Sequence, residues 1–116
     1  MSLRTAPRAD RHDLLIGTPT AADDVVRIRL TGVLDGINAD QLVDACTAVL
    51  GDPAAGCVEL HVAGLAFLDS GGIRALLRCR KAAEHANRQL RLVDPSPPVR
   101  QVLTITGLLG FLRVTD

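Results

Sequence analysis

The fold is indicated by residues 65–77, which read Leu65-Ala66-Phe67-Leu68-Asp69-Ser70-Gly71-Gly72-Ile73-Arg74-Ala75-Leu76-Leu77. Asp69 and Ser70 are residue types that favour the N-cap of a helix, and Gly71 and Gly72 let the backbone turn without a Cβ clash. Apolar residues then recur at helical spacing. The stretch predicts a strand, a tight turn and a helix. It holds the Ser70 hydroxyl at a helix N-terminus, where anions such as phosphate are favoured; a plain helix cap is the simpler interpretation.

Segments with the composition of strands lie on both sides of this turn. Residues 25–31 alternate in polarity, with aliphatic side chains at 26, 28 and 30 and arginine or threonine between them. This pattern predicts a strand with one buried and one solvent-exposed face. Shorter strands are predicted at 14–16, 57–62, 90–93 and 111–114. The stretch Thr18-Pro19-Thr20, the pair Asp23-Asp24 and the segment Gly32–Gly36 are expected to form turns or loops.

Three helices are predicted between these strands. Asn38 and Gln41 have the spacing of a capping box at the start of a helix that ends before Gly51. A second helix is expected over about 71–87, and a third begins after the N-cap Ser96. The order β, β, α, β, α, β, α, β predicts an α/β fold, with helices packed on a mixed, mostly parallel sheet of four to five strands.

Length and composition limit the possible functions. The 116 residues fit one domain, and a 47% hydrophobic but 2% aromatic composition predicts an aliphatic core. Residues 1–12 are expected to form a flexible tail before a domain at 13–116. The 13 basic and 13 acidic residues balance, so a direct nucleic-acid partner is not expected.

The cysteines and histidines do not form a recognisable metal or cofactor motif. Cys46, Cys57 and Cys79 are scattered and lack CxxC spacing, so they are expected to be small buried hydrophobic residues. Glu59 and His61 share a strand face, but two groups do not make a metal site. No signal peptide or long apolar run is present, so we expect a cytoplasmic protein without a membrane partner.

Two motifs, at this separation and in this element order, carry a family resemblance over about residues 12–116. Gly32-Val33-Leu34-Asp35 resembles the G-x-L-D turn of the STAS domain, and Asp69-Ser70-Gly71-Gly72-Ile73 resembles its D-S-x-G-[LI] turn. More narrowly, the chain resembles the bacterial anti-sigma factor antagonists. Position 71 is often Ser, Thr or Ala in that family. The second glycine here is expected to loosen the turn, by roughly 1 kcal/mol relative to Ala.

The resemblance implies a partner-switching role. In that family the unmodified antagonist binds an anti-sigma factor that is also a serine kinase, and the sigma factor is released. The kinase then phosphorylates the serine of the D-S-x-G turn, the antagonist dissociates, and a phosphatase restores it. Ser70 is the implied acceptor, and the implied partner-binding residues are Asp35, Asp69, Gly71, Gly72 and Ile73.

The polar face of the second predicted helix extends this candidate surface. It carries Arg74, Arg78, Lys81, Glu84, His85 and Arg88. A solvated face is the simpler interpretation, but Arg74 and Arg78 follow Ser70 most closely and are the candidates for contact with a partner.

Two other functions are weighed against the switch. Asp69-Ser70-Gly71-Gly72 also resembles the nucleophile segment of chymotrypsin-like proteases, but Leu68 replaces its first Gly and the chain is not a pair of β-barrels, so no enzymatic activity is expected. The stronger alternative is a STAS scaffold or regulatory subunit of a transport or signalling assembly, in which Ser70 is never phosphorylated.

Overall fold

A computed structural model describes residues 13–116 of the chain. The predicted tail, residues 1–12, lies outside the described residues. The elements, in chain order, are β1 (Leu14–Ile16), β2 (Thr20–Ala22), β3 (Val25–Leu34), α1 (Ala39–Leu50), β4 (Cys57–Leu68), α2 (Ser70–His85), β5 (Gln89–Val93), α3 (Pro97–Ile105) and β6 (Val114–Thr115).

The six strands form one mostly parallel sheet: five follow the order β1-β3-β4-β5-β6, and β2 also pairs with β3. Strands β3, β4, β5 and β6 run parallel to one another. Both β1 and β2 pair antiparallel with β3: β1 lies beside residues 30–32 and β2 beside residues 25–27. The predicted α/β architecture is confirmed, with one strand more than expected, because Thr20–Ala22 pairs with β3 instead of remaining a turn.

Two strands are longer than the sequence predicted. The expected loop at Gly32 is instead a continuation of β3 to Leu34, and β4 continues from Val62 to Leu68. Gly32 has a φ of +106°, and the pairing of β3 with β4 shifts register beside it. An irregularity of this kind bends a strand without ending it, so the glycine marked a bulge and not a terminus.

The last predicted strand is misplaced by a few residues. The expected strand at 111–114 is largely turn, and β6 is Val114–Thr115. Phe111 is half-exposed, and the Arg80 guanidinium lies 4.1 Å from its ring centroid. The aromatic residue that suggested a strand therefore packs against an arginine of α2.

The core is aliphatic, as the composition predicted. The inward faces of β3, β4 and β5 are fully buried beneath helices α1 and α2, which also pack against each other, and α3 packs against β4. All three cysteines are free and buried. A hydrogen bond with the Cys46 sulfur, together with burial, raises the pKa of the Cys79 thiol well above its ordinary range. The two cysteines therefore join α1 to α2 within the core.

Two residues predicted as helix N-caps lie at the predicted positions, but neither side chain makes a capping hydrogen bond. Asn38 precedes α1 but makes no capping-box bond, because its amide is used within the preceding loop. Ser96 precedes α3, with Pro97 at the first helical position, but its hydroxyl donates to the Leu65 carbonyl, 2.5 Å away. Both residues join a helix start to a neighbouring strand or loop.

Arg88 is not part of the exposed face of α2. Its guanidinium donates to the carbonyl oxygens of Leu50, Asp52 and Ala55 at 3.1–3.3 Å. It thus holds the connection between α1 and β4 and meets the carbonyl at the end of α1. Within residues 13–116, none of the helices has the length and apolar character required to cross a membrane.

Candidate functional site

The candidate site lies where β3 and β4 end side by side. Leu34 and Leu68, the last residues of the two strands, are paired in register. Because parallel strands end at the same edge of a sheet, the segments that follow them are neighbours. The structure therefore brings together the two motifs that the sequence identified: the Asp35 loop after β3 and the Asp69-Ser70 turn after β4.

Asp69 is the N-cap of α2, as predicted. Its backbone is extended, and its Oδ1 accepts a hydrogen bond from the Gly72 amide at 2.9 Å. Ser70 is the first residue of the helix and is exposed. Asp69 therefore supplies the cap, and the Ser70 side chain lies at the N-terminus of α2, the positive end of the helix dipole.

Asp35 organises the loop that faces Ser70. Its side chain is 5% exposed, and its Oδ1 accepts from the backbone amides of Ile37 (2.9 Å) and Asn38 (3.1 Å). In return, Asn38 Oδ1 accepts from the Asp35 amide at 3.0 Å. Asp35 therefore shapes this surface from beneath and contributes little exposed area of its own.

Gly71 and Gly72 are positions where backbones approach closely. A Cβ at Gly71 would lie 2.4 Å from the Cα of Gly36, and one at Gly72 would lie 2.4 Å from the Leu34 carbonyl oxygen. The expectation that Gly71 loosens the turn is therefore wrong, because the missing side chain lets α2 pack tightly against the loop after β3.

Two exposed apolar side chains flank the turn, and the sequence reasoning missed both. Ile37 is 70% exposed in the Asp35 loop, and Phe67 is 50% exposed near the end of β4. Ile73 is half-buried and packs against the core. A large apolar residue inside a short polar loop, as in Gly36-Ile37-Asn38, was the available signal for Ile37.

The arginines of α2 differ in what they contact. Arg78 NH1 lies 3.0 Å from Asp40 Oδ1 in α1, and both side chains are exposed. Arg74, one helical turn beyond Ser70, is exposed. Arg78 therefore belongs to a surface ion pair between the two helices, while Arg74 presents its charge beside the turn.

The two histidines within residues 13–116, His61 and His85, lie far from Ser70. His61 Nε2 is 3.1 Å from Glu59 Oε1 on the exposed face of the sheet, which confirms that these side chains share a face. By strand and helix rise, His61 and His85 each lie about 20 Å along their elements from Ser70. Within residues 13–116, no group of three His, Cys, Asp or Glu side chains could hold a metal ion.

The sequence and the fold of this chain are similar to those of known proteins. The family model described as "Mlab, STAS domain" matches residues 18–114. The chain belongs to the STAS domain family. This STAS domain is 32% identical over 87 residues to BtrV of Bordetella bronchiseptica, a candidate anti-sigma factor antagonist, covering 75% of this chain and 74% of BtrV. It is also 33% identical over 86 residues to the anti-sigma F factor antagonist of Lysinibacillus sphaericus, covering 73% of each chain.

Solved structures agree with this assignment. The STAS domain superposes on the unphosphorylated anti-sigma factor antagonist SpoIIAA with a TM-score of 0.70 and 26% identity, covering 90% of this chain and 89% of SpoIIAA. An anti-sigma factor antagonist from Mycobacterium paratuberculosis has the same fold, with a TM-score of 0.75 and 21% identity over 90% of this chain and 86% of that one. The resemblance to the anti-sigma factor antagonists is thereby confirmed.

Proposed function

We propose that this STAS domain binds an anti-sigma factor that is also a serine kinase, and that phosphorylation of Ser70 by that kinase ends the binding. A phosphatase then restores the unmodified form. The observation that carries the proposal is the position of Ser70: exposed, first in α2, and beside the Asp35 loop. Both ATP and sigma factors are found in the cytoplasm, which is the proposed place of action.

The surface around Ser70 suits a partner that docks while the hydroxyl is neutral. Ile37 and Phe67 offer exposed apolar area on either side of the turn, and apolar area of this kind gains free energy when a partner covers it. Asp69 Oδ1 accepts from the Gly72 amide at the N-terminus of α2, where the helix dipole favours its negative charge.

Phosphorylation would change this surface without opposing the fold. A phosphate adds about −1.5 to −2 charges at pH 7, and the N-terminus of α2 favours negative charge. At the interface, however, the same dianion would have to lose its water between apolar contacts, which is costly without an opposing cation. The phosphate is thus expected to weaken partner binding while leaving the domain folded.

Arg74 and Arg78 are proposed to contribute unequally. Reversing the charge of Arg74 changes an exposed side chain one turn from Ser70, so Arg74→Glu should weaken the partner complex. Arg78→Glu would also place a second acid beside Asp40, because Arg78 is paired with that residue. Arg78→Gln, which removes the ion pair without adding a negative charge, is the matched comparison.

The test is a phosphorylation and binding assay with a serine kinase of the anti-sigma factor class. The full chain is incubated with that kinase and ATP, and intact mass is measured for wild type, Ser70→Ala and Thr47→Ala, a control at an exposed hydroxyl on α1. We expect one phosphate on wild type and Thr47→Ala, none on Ser70→Ala, and loss of kinase binding by the phosphorylated form.

Two results would overturn the proposal. Phosphate incorporation that persists in Ser70→Ala would move the acceptor elsewhere. A kinase that binds the chain tightly but never modifies it would favour the alternative, a STAS scaffold or regulatory subunit whose Ser70 turn is a permanent docking surface.

A further inference from the structure

The exposed face of the sheet carries two cross-strand rows of polar side chains. In the first row, Arg27 of β3 pairs in register with Glu59 of β4, and Glu59 pairs with Arg91 of β5. In the second row, two residues further along, Arg29 is paired with His61. Residues two apart on a strand point to the same face, so the rows lie side by side on the surface opposite α1 and α2.

The first row has one carboxylate, that of Glu59, between the two arginines Arg27 and Arg91. Glu59 is 13% exposed, and its oxygens lie 3.2 Å from Arg27 Nε, 2.8 Å from Arg91 NH2 and 3.1 Å from His61 Nε2. Burial alone would raise the pKa of Glu59, but hydrogen bonds from His61 and Arg91 and the charges of Arg91 and Arg27 outweigh it and lower the pKa. Glu59 is therefore fully engaged and cannot neutralise a further cation.

Arg29 in the second row carries an uncompensated charge. Its side chain is exposed, and among residues 13–116 it has no carboxylate within 4.0 Å. Its neighbours on one side are Arg27 and His61, and Asp94 lies across the concavity on its other side. The second row is consequently electropositive on the side that faces Arg27.

A concavity of about 170 Å³ lies over this position. It is lined by Thr18, Thr20, Arg27, Arg29 and His61, and none of these residues is acidic. The segment between β1 and β2 forms one wall, held against β3 by the Gly17 amide bonded to the Arg29 carbonyl at 2.8 Å. The hollow is thus lined by two arginines, a histidine and two threonines.

A bulge in β4 opens a second hollow next to it. The register of β3 and β4 shifts between Arg29 and Thr31, which places two residues of β4 opposite one of β3. A concavity of about 130 Å³ lies there, lined by Arg29, His61, Ala63, Gly64 and Asp94. Bulges redirect side chains beside binding sites. Asp94 makes this second hollow less favourable for an anion than the first.

We propose that the first hollow, lined by Thr18, Thr20, Arg27, Arg29 and His61, binds a small oxyanion of the phosphate class. Arginine presents its donors in a planar fork that matches phosphate oxygens, and the threonine hydroxyls add neutral donors. Pockets for drug-sized ligands are about 300–1,000 Å³, so this volume suits one phosphate group and is too small to enclose a whole nucleotide. The ligand is either free phosphate or the phosphate end of a small ester.

This site is independent of the proposed function. Arg29 lies five residues before the end of β3, roughly 16 Å from the edge that carries Ser70. The site requires no kinase, no phosphorylation and no anti-sigma factor, so either proposal can fail while the other holds.

The test is a titration of the full chain with inorganic phosphate, followed by backbone amide shifts in ¹H–¹⁵N spectra at constant ionic strength set with NaCl. We expect saturable shifts at Thr18, Thr20, Arg29 and His61 with a dissociation constant in the millimolar range. Arg29→Gln should weaken binding by about tenfold or more, and Arg29→Lys, which keeps the charge without the fork, should lie between. Arg100→Gln, an exposed arginine paired with Asp116, should bind like wild type.

A second arm uses glycerol phosphate in place of inorganic phosphate and separates the two sources of the ligand. Tighter binding of the ester would identify a phosphorylated small molecule, and tighter binding of inorganic phosphate would identify the free ion. Shifts that do not saturate, or that are the same in Arg29→Gln and Arg100→Gln, would overturn the proposal.

Discussion

Gly71, in the first turn of α2, packs its backbone directly against the backbone of Gly36, in the loop after β3. The contact joins the two motifs that the sequence singled out, because Gly36 follows Asp35 and Gly71 follows Ser70. It is also asymmetric: a Cβ at Gly71 would lie 2.4 Å from Gly36 Cα, whereas a Cβ at Gly36 would lie 3.8 Å from Gly71 Cα. There is therefore no room for a side chain at Gly71, whereas a methyl group fits at Gly36.

The first prediction is that Gly71→Ala destabilises the domain, although alanine is the better helix former. The added methyl must displace backbone, and overpacking of this kind costs about 1–3 kcal/mol, which exceeds the gain of about 1 kcal/mol from helix propensity. Urea unfolding monitored by circular dichroism measures the difference.

Gly36→Ala is the matched control for that contact. Its Cβ would make an ordinary van der Waals contact, and Gly36 lacks the positive φ that would strain a side chain. We expect it to be neutral or stabilising by up to about 1 kcal/mol. Equal stabilities for the two variants would contradict the asymmetric contact.

The second prediction separates the cap from the modification site. Asp69→Ala removes the side chain that accepts from the Gly72 amide and should cost about 1 kcal/mol. Ser70→Asp places a negative charge at the helix N-terminus and should leave stability within about 0.5 kcal/mol of wild type or slightly above it. Thermal unfolding of both variants, with Ser70→Ala for reference, makes the comparison; unfolding of the domain by Ser70→Asp would refute it.

The third prediction concerns the pH dependence of stability. The pKa of Glu59 is lower in the folded protein than its ordinary value of 4.5. Its carboxylate therefore stabilises the fold above about pH 4.5, and this contribution is lost as the pH falls through the lowered folded-state pKa. Glu59→Gln should cost about 1–2 kcal/mol at pH 7, and the difference from wild type should shrink as the solution is acidified below pH 4.5.

Glu84→Gln is the control for the acid titration. Glu84 is an exposed carboxylate in an i, i+4 ion pair with Arg80, and such pairs contribute about 0.3–0.5 kcal/mol. Its stability curve should stay close to that of wild type from pH 3 to 7. A Glu59→Gln curve that runs parallel to wild type over the same range would show that Glu59 does not titrate as described.

The fourth prediction is that Arg88→Ala loosens the connection between α1 and β4. The guanidinium bonds three carbonyl oxygens there, including that of Leu50 at the end of α1. Leaving these groups without their donor should cost about 1–3 kcal/mol and should speed amide hydrogen exchange at residues 51–56. Lys81→Ala, at an exposed position of the preceding helix α2, should change neither; if it matches Arg88→Ala, the effect is not local to the connection.

Most of the fold could be predicted because the hydrophobic pattern and the residues that begin or end elements indicated the same helices and strands. The alternation at 25–31 and the apolar stripe of α1 each specify one structure, and Gly51 and Asp69 mark real helix boundaries. The errors fall where one residue type serves two purposes. Gly32 is a strand bulge and not a strand end, and the amide of Asn38 bonds the Asp35 loop instead of capping α1, because a nearby backbone partner was closer than the helix.

The position of the candidate site was predictable, but its surface was not. Parallel strands bring Asp35 and Ser70 to one edge, so their proximity follows from topology. Which side chains face outward depends on packing that no local pattern encodes. Asp35 is buried by bonds to amides two and three residues ahead, while Ile37, the more hydrophobic residue, remains exposed.

The two short strands β1 and β2 lie end to end along β3 and cover an edge that could otherwise pair with a strand of another molecule. The long β3 would otherwise expose ten residues of unpaired backbone, a template for intermolecular strand addition and aggregation. Pro19 stands between the two covering strands and cannot donate to another chain. At the opposite side the sheet finishes with β6, which is two residues long. Truncation that removes β1 should therefore leave part of the β3 edge open to strand pairing between copies of the chain.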